Sequence, residues 1–107
     1  MPVTVVIGGQ FVSEGKGKVA HFLAEQMKAS IAIRIGGANS GHTAISPQGR
    51  AFVFRHLPTA CLLPGVTCVI GAGSYLDVEV LLEEVSIAGI DPNRLVIDEN
   101  AVVIQPN

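Results

Sequence analysis

The sequence predicts an α/β fold built on a mostly parallel sheet. Two apolar runs, "VTVVI" at residues 3–7 and "SIAIRI" at residues 30–35, each end in a glycine pair and flank an amphipathic stretch, so the chain reads strand, helix, strand. Hydrophobic residues make up 49% and charged residues 15%, against a usual charged share of roughly 25%. That balance favours a sheet covered on both faces, with strands apolar throughout. At 107 residues the chain has room for one core and one domain.

The elements follow in order. The β-branched run at 3–7 is the first strand, closed by Gly8 and Gly9. From Gly15 to Met27 the apolar residues Val19, Phe22, Leu23 and Met27 recur at helical spacing, with Lys18, His21, Glu25 and Lys28 on other faces. The run at 30–35 is the second strand, parallel to and beside the first, and it opens the loop "GGANSGHT". "TAIS" and "AFVF" flank Pro47, Gln48, Gly49 and Arg50, a hairpin signal. "VTCVIG" is a buried strand. "DVEVLLEEVSIA" at 77–88 is a helix capped by Asp77 and closed by Gly89, and "RLVID" and "AVVIQ" are short strands after the turn at Asp91 and Pro92. No repeat or low-complexity tract interrupts them.

Several function classes fall away. A formal charge of −2, with no run of adjacent Lys or Arg, argues against nucleic acid. No apolar stretch approaches the ~20 residues that cross a bilayer, so no membrane span is expected. The amino terminus lacks the features of a secretory peptide, which implies a cytoplasmic address. Cys61 and Cys68 sit among leucines and valines and read as buried core thiols, not as a zinc pattern.

The chemistry gathers in two glycine-rich loops. In "GGQFVSEGKGKVA", Gly15, Lys16, Gly17 and Lys18 stand at a helix start, where unpartnered N–H groups and the helix dipole attract phosphate. The spacing is neither G-x-x-x-x-G-K-[ST] nor G-x-G-x-x-G, which excludes a standard P-loop and a dinucleotide fingerprint. The competing reading is a glycine-rich turn with two solvated lysines. The second loop leaves the carboxyl end of the second strand, the edge at which α/β sheets bind ligands. Its His42 can exchange a proton near neutral pH or be an ordinary solvated histidine.

These two segments, "GGQFVSEGKGK" and "GGANSGHT", resemble the signatures of the adenylosuccinate synthetase family, G-x-Q-W-G-D-E-G-K-G-K and Q-G-G-x-N-A-G-H-T, and the similarity continues through "HLPTACLLPGVTCVIGAGSYLD". The resemblance implies the amino-terminal portion of an adenylosuccinate-synthetase-type fold, with a P-loop-NTPase-like β-α-β start. Full-length members are several times longer, so the chain, whose "QPN" ends in mid-pattern, is expected to be a piece of a longer enzyme and inactive alone. The family joins aspartate to C6 of inosine monophosphate (IMP) with GTP and Mg2+, through a 6-phosphoryl intermediate. It is cytoplasmic, and a homodimer is implied.

Position by position, the resemblance makes Glu14, Gly15, Lys16, Gly17 and Lys18 the loop that touches phosphate, with Glu14 and Lys16 also beside the substrate. Asn39 and Ser40 become substrate contacts and Thr43 a nucleotide contact. Gly41 becomes a carbonyl ligand of magnesium, and His42 the general acid that assists departure of the diphosphate. His56 reads as structural.

Phe11, Val12 and Ser13 stand where the family has Trp, Gly and Asp. That aspartate takes the purine N1 proton and ligates magnesium, roles that a carboxylate of pKa near 4 fills and a hydroxyl does not. One branch of the family carries serine here and uses deoxyguanosine monophosphate (dGMP), with ATP or its deoxy form as donor. By that resemblance Ser13 is a catalytic, nucleotide, substrate and metal position at which the shorter side chain makes room for the guanine 2-amino group. The alternatives are an ordinary IMP enzyme using GTP and a non-catalytic nucleotide-binding module.

Overall fold

The computed structural model describes residues 3–7, 15–37 and 41–104. Helix α1, Lys16–Met27, leads into strand β1, Ile31–Arg34. A hairpin follows, β2 at His42–Ile45 and β3 at Ala51–Phe54, then a short 3-10 turn at Thr59–Leu62 and strand β4 at Thr67–Ile70. Strand β5, Tyr75–Leu76, precedes helix α2, Val78–Ala88, and strands β6, Leu95–Ile97, and β7, Val102–Val103, complete the order.

The main sheet has the order β1-β4-β6 with both pairings parallel, as do β5 and β7, while β2 and β3 pair antiparallel. The α/β, mostly parallel expectation therefore holds. The hairpin forms where Pro and Gly were read as a turn, with Gly49 N donating to Ser46 O at 2.9 Å. Asp77 caps α2 as expected, accepting from Val80 N at 3.2 Å, and Gly89 follows the helix end.

The predicted first strand is not formed. Val3, at 85% exposed, Val5 and Ile7 lie open, and among the described residues Thr4 Oγ1 reaches Met27 Sδ, at 3.2 Å. β-branched residues favour extended backbone, but that preference spans only ~1 kcal/mol, and a strand is held by its ladder and cross-strand packing. Without them the β-α-β start reduces, among the described residues, to α1 leading into β1.

Among the described residues the sheet is also covered on one face, not two. Register puts Ala32, Cys68, Ile70 and Leu95 on one side, where Cys68 and Ile70 join Phe54, Leu57, Leu76 and Leu81 in the core. Ile31, Ile33 and Val96 line the other side and are exposed. Cys61 and Cys68 are buried, as expected, and burial pushes the Cys61 thiol up to about 12. No helix among the described residues is long and apolar enough to cross a membrane.

Candidate functional site

The site is organised by the start of α1. Gly15, just before the helix, has φ 73°, left-handed backbone that a residue without Cβ adopts without strain. The first-turn N–H groups behind it carry partial positive charge, and the turn contains no acidic side chain to neutralise it. Lys16 is the half-buried first residue of the helix and Lys18 is exposed.

Gly17 is buried because β2 lies against it. A Cβ at that position would stand 2.5 Å from His42 Cβ and 2.9 Å from Thr59 Cγ2. This close approach joins the two loops; the expected side-by-side strands do not. His42 accordingly sits as the first residue of β2 rather than in an open loop, paired with Phe54, half-buried and facing α1. Burial lowers its pKa, and the cations Arg34 and Lys16 lower it further. Each of these disfavours the protonated imidazole in the free protein.

Behind His42 lies a polar brace that the motif reading did not single out. Arg34 Nη1 donates to Phe54 O at 2.7 Å and to Leu57 O at 3.0 Å. Burial lowers the Arg34 pKa and the charge of Glu84 opposes it. The buried Glu84 carboxylate accepts three backbone bonds, from Arg55 N at 2.6 Å and from His56 N and Leu57 N at 3.1 Å each. His56 is structural, as expected: it is buried, and Nε2 accepts from Asp77 N at 3.0 Å, so that nitrogen carries no proton. Burial lowers its pKa, with Glu84 opposing.

Two signals for the brace were present in the sequence. Arg34 is a charge inside an otherwise apolar strand, and Glu84 falls between Leu81 and Val85 on the apolar stripe of α2. Thr59, whose Cγ2 faces Gly17, had no such signal.

The structure thus brings Gly15, Lys16, Gly17 and Lys18 to one helix start against His42. Gly41 precedes His42 and is exposed. Thr43 pairs with Val53, on the face of the hairpin opposite to His42, so the structure does not gather it with the others. Ser13, Glu14, Asn39 and Ser40 lie outside the described residues. For magnesium, a hard cation that takes oxygen ligands, a backbone carbonyl such as that of the exposed Gly41 is the right kind of donor. No group of three acidic, histidine or cysteine side chains that could hold a metal gathers among the described residues. Phosphate oxygens and water would supply the rest of the shell.

Comparison with known proteins fits this geometry. The sequence model described as adenylosuccinate synthetase matches residues 5–107. Adenylosuccinate synthetase from Saccharopolyspora erythraea is 43% identical over 109 residues, covering 99% of this chain and 25% of that protein. The Dehalococcoides mccartyi protein of the same name is 38% identical over 110 residues, with the same shares covered. Among solved structures, fully ligated adenylosuccinate synthetase from Plasmodium falciparum superposes with TM-score 0.79 at 34% identity, covering 89% of this chain and 22% of that one. Cyanophage S-2L succinoaminodeoxyadenylate synthetase, bound to dGMP and to dATP as energy donor, gives TM-score 0.66 at 29% identity, with 85% and 26% covered. The chain spans about a quarter of the length of these relatives.

Proposed function

The chain belongs to the adenylosuccinate synthetase family, and from that membership we propose that it is the amino-terminal, nucleotide-binding part of a purine-nucleotide:aspartate ligase. The reaction would form an N6-succino purine nucleotide at the expense of a nucleoside triphosphate. The observation that carries this reading is the packing of Gly17 directly on His42, which sets an anion-binding helix start beside an imidazole. Gly15, Gly17 and Lys18 would hold phosphate through backbone N–H groups and a cation, and Lys16 would bridge phosphate and substrate. Glu14, Asn39 and Ser40 would contact the monophosphate. Gly41 would ligate Mg2+, with Ser13 at the family's other ligand position, and the ion would neutralise phosphate charge.

Burial and the cations Arg34 and Lys16 disfavour protonation of His42 in the free protein. Negative phosphate charge beside an imidazole favours its protonated form, so binding would load the proton that the departing diphosphate takes up. The same reading includes the cytoplasmic address and the homodimer. It also sets this domain inside a longer polypeptide, further parts of which would cover the exposed Ile31, Ile33 and Val96.

For the monophosphate we favour dGMP, on Ser13 and on the likeness to the cyanophage structure bound to dGMP and dATP. The 43% identity to a bacterial adenylosuccinate synthetase supports a second reading, IMP with GTP. Ser13→Asp in the complete enzyme separates them. The longer charged side chain crowds a 2-amino group but restores a base and metal ligand for a purine without one. One misfitted polar contact costs about 1–3 kcal/mol, so the ratio of kcat/KM for dGMP over IMP should fall at least about tenfold. An unchanged ratio would mean that Ser13 does not choose the purine. If neither monophosphate turns over with aspartate, a non-catalytic nucleotide-binding module is the better description.

The role given to Lys18 is tested separately. Lys18→Ala should weaken triphosphate binding by roughly 10- to 100-fold, the worth of one charge-assisted contact of about 1.5–3 kcal/mol. The melting temperature should hardly move, because Lys18 is exposed. Unchanged affinity by calorimetry would return Lys18 to the ordinary solvated lysines.

A further inference from the structure

We propose that Thr59 is a positioning residue that clamps the first turn of α1 against His42 and thereby sets the geometry of the phosphate-binding helix start. Thr59 is buried at the head of its 3-10 turn. Its hydroxyl donates to Gly17 O at 2.5 Å, and its own carbonyl lies 3.1 Å from His21 Nδ1. A carbonyl only accepts, so His21 must carry its proton on Nδ1. Gly17 and His21 are four residues apart, one above the other on the same helix face. A single residue therefore grips both ends of one helical turn, with an acceptor at one end and a donor at the other. The same turn is the one whose glycine rests on His42.

The clamp is itself anchored. The backbone N–H groups of residues 55–57 are tied to Glu84, and the carbonyls of Phe54 and Leu57 to Arg34, which fixes the chain entering Thr59 from β3. Phe54 is in turn the cross-strand partner of His42. Thr59 and His42 thus approach α1 from one braced unit, and the helix start is referenced to both. A free helix terminus would fray; a terminus pinned at Gly17 and His21 holds its N–H groups in one arrangement.

This inference rests on the helix start and His42 being the site, and the test separates the two ideas. In the full chain, Thr59→Val keeps the β-branched shape but replaces the hydroxyl by a methyl facing Gly17 O, while Thr59→Ser keeps the hydroxyl. Thr59→Val should move the imidazole ring resonances of both His21 and His42 and lower kcat by about tenfold or more. Thr59→Ser should restore the resonances and kcat. The proposal is overturned if Thr59→Val leaves the His21 and His42 resonances in place, or if Thr59→Ser is as impaired as Thr59→Val, which would assign the effect to methyl packing. If the resonances respond as described but the unaltered enzyme turns over no purine nucleotide with aspartate, the clamp stands and the ligase reading fails.

Discussion

Glu84→Ala should destabilise the domain by about 3–5 kcal/mol, the range for removing one partner from a buried charged network. The carboxylate is 6% exposed and is the acceptor for three successive backbone N–H groups, those of Arg55, His56 and Leu57. Alanine would leave all three donors without that partner, two of them, His56 N and Leu57 N, buried, at about 1–3 kcal/mol for each one that water cannot reach. It would also take away the negative charge that opposes the burial of Arg34. A small domain holds only about 5–15 kcal/mol in total, so this single change should shift the urea midpoint strongly or prevent purification. Glu84→Gln keeps one acceptor oxygen but turns an NH2 toward a donor, and should fall between the two. A loss below about 1 kcal/mol for Glu84→Ala, measured by urea unfolding, would mean that the 55–57 turn finds other acceptors readily.

The position of Glu84 also explains what the sequence made legible. Helical periodicity located α2, with Asp77 as cap and Gly89 as stop, because these signals are local and agree with one another. The hairpin and the strands β1 and β4 were legible for the same reason. Within an amphipathic pattern, however, Glu84 counts as a polar interruption, and only the tertiary structure discloses that the loop after β3 needs an anion there. Residues 3–7 show the converse. Their β-branched pattern is a strong strand signal, yet a strand is completed by a neighbour, and no run of residues specifies from within itself that the neighbour is present.

The site was legible in parts. Glycine and lysine spacing located the helix start, and the glycine-flanked His42 was singled out beside it for a reason the structure does not share. The sequence argument set the loops side by side through adjacent parallel strands. In the structure the link is a missing side chain, Gly17, with Thr59 holding the same turn. Glycine at a helix start reads equally well as a phosphate-loop residue or as a contact point, and only the distance to His42 Cβ tells the second use from the first. Thr59 carried no signal because a threonine after proline, between a strand and a turn, has the composition of an ordinary connection.

Gly17→Ala follows from that distance and should have the largest functional effect of any single methyl added to this chain. The new Cβ would lie 2.5 Å from His42 Cβ, whereas carbon atoms prefer about 3.5–4.0 Å. Either α1 or β2 must therefore move by about 1 Å, and both contacts involved, backbone on one side and a strand residue on the other, are stiff. A misplacement of about 1 Å between reacting groups can cost roughly 100-fold in rate, so kcat of the complete enzyme should fall by about that factor. Stability should change far less. Overpacking costs about 1–3 kcal/mol, and replacing a helical glycine by alanine returns about 1 kcal/mol, leaving a net loss of at most about 2 kcal/mol. Low turnover in a folded protein, with the melting temperature only modestly reduced, is thus the expected pairing. If Gly17→Ala keeps turnover within threefold of the unaltered enzyme, the spacing between the helix start and His42 does not govern the reaction, and the imidazole acts, if at all, from some other arrangement than the one α1 and β2 define.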